Sequence, residues 1–497
     1  LLGLSSTGST LSNEYLLVNT SSSPGAGIVN QTMQFHGTAD LYNANGATTV
    51  ATLYSGASTP TSSPAVTLNS VGAGQASAFT YDLARSVIYT RQGNPAWSGQ
   101  QRNPYIDPAI GRSQIRSDDL FFGNAGFDPE PDWVNLNKVM LPQADEQQRL
   151  LVNLIEKMNA NKKPLPRFWY FPSNFKAVVI MTGDDHNVGG TSGRFNQYLS
   201  ASPSGCSVAD WTCIRSTSYV FTYTPIQNYK NYVAQGFEIA NHGDSSPTCT
   251  NYTPASLQSA LTSELAVLEQ NLPGLPAPKT NRTHCVLWSD YDSQPQIELQ
   301  LGIRLDTTYY YWPSVWILDR PGLFTGSGIP MRFADRNGNT IDVYQAPSQM
   351  TDESGQTYPI TIDTLLDNAL GPQGFYGAFT ANMHTDLANS PGSDAIIASA
   401  KARGVPVVSS LQMLTWLDGR NGSFFGAMSW NNPALSFTIT AASGARNLQV
   451  LLPVNSAAGN LISLKFNGSA VSYTVQTIKG LQYAVFAANS GAYLATY

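Results

Sequence analysis

Hydrophobic and polar positions divide the chain into three textures. Up to about Arg167, short β-like runs (TTVATLYS, SAFTYDL, SVIYTRQG) alternate with Ser/Pro/Gly turns. One helix closes this stretch. In ADEQQRLLVNLIEKM, residues Leu150, Leu151, Leu154, Ile155 and Met158 recur at helical spacing and predict one buried face. The proline-bearing NKKPLPR then reads as a linker. From about Phe168 to Asp418, apolar runs (KAVVIMT, FEIANH, HCVLW, IRLDTTYY, YGAFTANMH, VPVVSS) alternate with helical ones (YKNYVAQG, PASLQSALTSELAVLEQNL, SDAIIASAKARG). That order predicts an α/β fold, a parallel sheet or (β/α) barrel. From about Arg420 the runs ALSFTITAA, NLQVLLPV, LISLKFNG, VSYTVQT and QYAVFAA predict a small β-sandwich. The expected domains are 1–167, 168–419 and 420–497.

Composition narrows the function classes. At 497 residues the chain has room for several domains. Charged residues are 12% of it, against a usual share of about 25%, with Ser, Thr, Asn and Gly supplying the polarity, as in exported proteins. A net charge of −6 without a basic stripe argues against nucleic acid as partner. No run approaches the ~20 apolar residues of a membrane span, and the start at LLGLSS reads as a mature or trimmed one. Cys206 and Cys213 are spaced to staple one loop, which leaves Cys249 and Cys285 for a second bridge; a zinc site on these thiols is the weaker reading, since no CxxC pair occurs, and free core cysteines are the alternative. The expected location is secreted, extracellular or on the cell surface.

Candidate chemistry gathers at strand ends. Asp184 and Asp185 end KAVVIMT, His242 ends FEIAN, Asp306 ends GIRL and His384 ends GAFTANM. In a barrel these side chains meet on one rim, where such folds carry their chemistry. Carboxylates and imidazoles together can hold a divalent metal with an open position for water. A second carboxylate can take the water's proton, and a histidine can protonate the leaving group. Adjacent aspartates at a strand end also serve, more simply, to cap the next helix.

In order, these residues resemble the NodB-homology polysaccharide deacetylases of the carbohydrate esterase family 4 type. Thr182-Gly-Asp-Asp-His186 is similar to the family's first motif, His242-Gly-Asp-Ser-Ser246 to the first position of its second, RTHCVLW to its third, LDTTYYYWP to its fourth and Met383-His384 to its fifth. The resemblance implies a distorted (β/α) NodB-like barrel, with Asp184 as general base, Arg282 steadying it and His384 as general acid. It implies a divalent metal, zinc first, on Asp185 and His242. Ser246 stands where the family has a histidine, so the third ligand is open between Asp244 and His186. Asp306, Tyr310, Trp312 and Trp288 are the expected substrate contacts, since aromatic faces stack on sugars. The layout is similar to secreted galactosaminogalactan-type deacetylases, with an N-terminal amidotransferase-like α/β domain. The implied function is removal of acetyl groups from an N-acetylated hexosamine polysaccharide. The alternative is an inactive glycan-binding or structural surface protein on the same scaffold.

Overall fold

The structure, a computed structural model, describes residues 1–102, 114–123, 132–243 and 249–497. Its centre is a ten-stranded sheet built round the strand Ala177–Asp185. All nine residues of that strand are buried, and it pairs in parallel with Thr217–Val220 on one side and Gly377–Asn382 on the other. An unbroken apolar run is what a strand covered on both faces requires. Beyond Thr217–Val220 the sheet continues through Glu238–Gly243, Thr280–Thr283 and Leu305–Asp306, all parallel. Ser348–Thr351 lies outside Gly377–Asn382, and a lone parallel bridge joins its Ser348 to Tyr310. The bridge brings the far strand back towards Leu305–Asp306, so the sheet curls as a half-barrel and its C-terminal strand ends face one another.

Two elements differ from the sequence expectation. HCVLW is not a strand. The strand is Thr280–Thr283, four buried polar residues, followed by a short turn over His284–Val286. SVIYTRQG is helical, within Leu83–Gln92, where the Asp82 carboxylate accepts from the Arg85 N–H at 3.0 Å and caps the first turn.

The N-terminal region also differs. An amidotransferase-like α/β domain needs a parallel sheet crossed by helices. Here Met33–Gln34, Tyr15–Val18, Thr48–Tyr54, Pro60–Val71 and Gly74–Phe79 form a five-stranded sheet in which every pairing is antiparallel. The helix Gln143–Asn159 packs Leu150 and Leu154 into the core of this sheet. Leu151 and Ile155, expected on the same face, are 36% and 38% exposed. Polar residues take their place: Gln147 accepts from the Tyr81 hydroxyl at 2.9 Å and donates to the Gln34 carbonyl at 2.9 Å.

The C-terminal region carries two antiparallel sheets that share one core, with Phe437, Leu464 and Tyr493 from one and Val450, Leu452 and Phe486 from the other. The expected boundaries are not clean breaks. Arg167–Phe168 pairs with Gln449–Pro453 as an edge strand of the second sheet, and the helix Ser410–Gly422 runs across 419/420. Disulfides join Cys206 to Cys213 and Cys249 to Cys285. No helix among the described residues is long and apolar enough to cross a membrane.

Candidate active site

The C-terminal strand ends open on a cleft of about 440 Å³ lined by Asp184, His186, His242, Arg282, His284 and His384, among others. Strand geometry explains how the Asp-Asp-His run is used. Successive side chains leave opposite faces, so Asp184 faces the cleft and Asp185 turns away from it. The Asp185 carboxylate is fully buried and accepts from the N–H groups of Val188, Gly189 and Thr191 and from the Thr191 hydroxyl, at 2.7 to 3.0 Å. Both oxygens are thereby committed to shaping the loop that leads into the helix Thr191–Ala201. This replaces the expectation of Asp185 as a metal ligand.

A different set of donors surrounds the cleft. His186, His242 and His284 place one ring nitrogen each within 4.8 Å of one another. Their ring centroids are 5.2 Å apart in all three pairs. Phe221, just past the strand Thr217–Val220, supports all three: its ring stacks on His242 at 5.4 Å and meets His186 and His284 edge-on at 4.9 Å. Two of the rings are oriented from behind. His242 donates its Nδ1–H to the Arg282 carbonyl at 3.0 Å, and His186 Nδ1 pairs with the Asp386 carboxylate at 2.9 Å, which leaves each Nε2 for the cleft. Outer partners of this kind are the usual support of metal-binding imidazoles. Burial holds the His242 imidazole well below its ordinary pKa, hence neutral and able to offer a lone pair. Three imidazoles with a ring nitrogen each on one side of an open cleft fit a zinc-class ion with a position to spare. Ser246 and Asp244 lie outside the described residues.

Asp184 sits beside this set. Its Oδ1 is 3.3 Å from Arg282 Nε, its Oδ2 accepts from Asn382 Nδ2 at 2.8 Å, and His242 Nε2 is 3.9 Å away. Burial alone would raise its pKa, but neighbouring positive charge, Arg282 and His384 included, outweighs burial and holds it at about 2. The carboxylate is therefore ionised across the physiological range. Arg282 is itself anchored by hydrogen bonds to the Thr182 and Ser348 hydroxyls, at 3.1 and 2.7 Å.

His384 lines the same cleft, its ring stacked 5.3 Å from His186. Its Nδ1 meets Asp352 at 2.9 Å and its Nε2 lies 3.6 Å from Glu353. Burial lowers its pKa, but the bond to Asp352 and the charges of Asp184, Asp352 and Glu353 raise it to about 10. It is an imidazolium at neutral pH.

The expected substrate contacts divide. Tyr310 and Trp312 line the cleft; the Tyr310 ring lies 5.4 Å from the Arg282 guanidinium, and Arg116 covers Trp312 at 4.8 Å. Trp288 is core instead, stacked on Phe333 at 5.6 Å. Asp306 is also buried away from the cleft. It accepts from the Thr308 N–H and hydroxyl at 2.9 and 2.6 Å and shares its site with Glu298; burial raises both carboxyls. Sequence reasoning gave no role to His284 and did not single out Phe221, Asp352, Asp386 or Arg116. His284 was hidden because HCVLW reads as the start of a strand, whereas the residue directly follows one.

No protein-family model matches the chain, and no curated protein does. Among the solved structures it matches are polysaccharide deacetylases and carbohydrate esterases of family 4 and a mutant of a family 4 pseudoenzyme. One is the carbohydrate deacetylase Agd3, at 10% identity and a TM-score of 0.34, covering 100% of this chain and 83% of that one. Another is a protein from Mycobacterium smegmatis described as a polysaccharide deacetylase, at 16% identity and a TM-score of 0.34, over 51% of this chain and 94% of that one. A third is the peptidoglycan deacetylase PdaC from Bacillus subtilis, at 16% identity and a TM-score of 0.28, over 48% and 89%. The chemistry of this chain is read from its own residues.

Proposed function

We propose that the chain is a secreted, metal-dependent deacetylase that hydrolyses the acetamide of an N-acetylated hexosamine polysaccharide. One observation carries this reading: three imidazoles, an ionised arginine-paired aspartate and an imidazolium share one cleft. His186, His242 and His284 would hold the metal, which when bound would polarise a carbonyl and make water more acidic. Asp184 takes the proton of the attacking water, because it lines the cleft and is ionised. Arg282 fixes the position of that carboxylate and keeps it charged. His384 gives its proton to the departing amine, so that amide and water become amine and acetate. Tyr310 and Trp312 offer aromatic surface to the sugar ring. Two disulfides and the low content of charged residues support an extracellular setting.

The test is acetate release from N-acetylated hexosamine polymers by zinc- or cobalt-loaded protein. Asp184→Asn should lower the rate by about 10²–10⁴-fold while the protein keeps its metal and its melting temperature. An unchanged rate would exclude Asp184 as the base. Retention of polymer by the wild type with no acetate released would leave a glycan-binding protein.

A further inference from the structure

The Cys249–Cys285 disulfide lies against one of the three candidate metal ligands. His284 Nδ1 is 3.9 Å from Cys249 Sγ and 3.7 Å from Cys285 Sγ, and His284 Nε2 is also 3.7 Å from Cys285 Sγ. Each of the three residues can offer one donor atom within 4.8 Å of the other two. His284 therefore belongs to two possible donor sets, one of three nitrogens and one of two sulfurs and a nitrogen. Cys249 is buried, whereas Cys285 lines the cleft, so a small reductant can reach the bond. The turn that carries His284 is held in an unfavourable shape, with Cys285 at φ 54° and the β-branched Val286 at φ 49°. A cross-link at Cys285 fixes that turn.

We propose that this disulfide is a redox latch on the metal set. Oxidised, it withholds both sulfurs and leaves His284 to join His186 and His242. Reduced, Cys249 and Cys285 take a zinc-class ion together with His284, drawing it away from Asp184. The oxidised half rests on the three-histidine reading above; the Cys₂His site stands on its own geometry. A dithiol supplies two electrons and two protons, the S–S bond breaks to two thiols, and the dithiol closes to a cyclic disulfide. When the ion binds, both thiol protons leave to solvent, and thiolate sulfur is a preferred zinc donor. The chain would thus hold metal in an inactive set under reducing conditions and acquire activity on oxidation.

Cobalt distinguishes the two sets, because sulfur ligation adds a charge-transfer absorption in the near ultraviolet that nitrogen ligation lacks. The experiment uses the full chain with Cys206→Ser and Cys213→Ser, so that the only thiols counted are Cys249 and Cys285. Protein treated with dithiothreitol and desalted without air should show two free thiols and the sulfur–cobalt band. It should hold one cobalt per chain and release acetate at least about tenfold more slowly. Adding Cys249→Ser and Cys285→Ser should abolish the band. Two free thiols with no band would overturn the latch, as would a second cobalt per chain or collapse of the near-ultraviolet circular dichroism on reduction. Failure of the oxidised protein to bind cobalt, with the band present after reduction, would instead sink the three-histidine centre and keep the Cys₂His site.

Discussion

Asp184 and Asp185 are neighbours in sequence and opposites in use. The period-two geometry of the strand aims one at the cleft and the other into the loop behind it. Asp185 accepts from three backbone N–H groups and one hydroxyl, and Thr191, which supplies two of these donors, is buried. These bonds hold the loop into the helix Thr191–Ala201, and the consequence of losing one is measurable. Asp185→Asn should cost about 2–4 kcal/mol of stability in urea unfolding, with the zinc content of the folded protein unchanged. The Asp-Asp-His run was legible as a polar strand end, but not which carboxylate faces the cleft. Alternation along a strand was the available signal, and it favours the first aspartate for the cleft only once the strand's facing is known.

At the scale of elements, what could be read depended on how each strand is buried. KAVVIMT and GAFTAN announce themselves because burial on both faces requires apolar side chains. Thr280–Thr283 does not, since its four residues are polar and buried together, with hydrogen bonds from Thr280, Asn281 and Thr283 to Glu238, Glu298 and Thr308 and from Arg282 to Thr182 and Ser348. Hydrophobic periodicity cannot detect such a strand, and so His284 at its end went unplaced. Glu238 is the hub of this layer. It accepts from the Thr217 and Thr280 hydroxyls at 2.6 and 2.9 Å and from the Leu411 N–H at 2.9 Å, which ties two strands to the helix Ser410–Gly422. Burial raises its pKa to about 7 despite those donors. The folded state therefore holds this proton more tightly than the unfolded chain does. The associated stability is fully present below the ordinary carboxyl pKa and is lost as pH rises through about 7. A gap of this size corresponds to about 3 kcal/mol. The melting temperature should fall between pH 5 and pH 8 (roughly the span of that shift), and Glu238→Gln should flatten the fall; an equally steep fall in the variant would assign it elsewhere.

Across the whole molecule, the three regions meet at a buried cluster of charge. Glu146, on the helix Gln143–Asn159, pairs with Arg149 and with Lys479 at 2.7 Å each and accepts from the Val29 N–H at 2.9 Å. Lys479 also donates to the Gln373 carbonyl at 2.6 Å, and Arg149 to the Tyr376 carbonyl at 3.3 Å. One carboxylate thus fastens the N-terminal helix, the barrel and the C-terminal sheets. Glu146→Ala strands two buried cations and should cost about 3–5 kcal/mol; calorimetry should then resolve more than one transition. A single unshifted transition would mean that the regions hold together by other means. The order of three textures was plain in the sequence. Their joints were not, because charged and polar residues in contact across 300 positions leave no periodic trace (a span on the order of the Glu146–Lys479 separation).

The central claim is that a metal site here is made by His186, His242 and His284, with Asp184 free to act as base. Zinc stoichiometry on purified wild type, His284→Ala and Asp185→Asn tests it most directly. The account predicts about one zinc per chain in wild type and in folded Asp185→Asn, and loss of it in His284→Ala. Zinc kept by His284→Ala and lost from folded Asp185→Asn would contradict it.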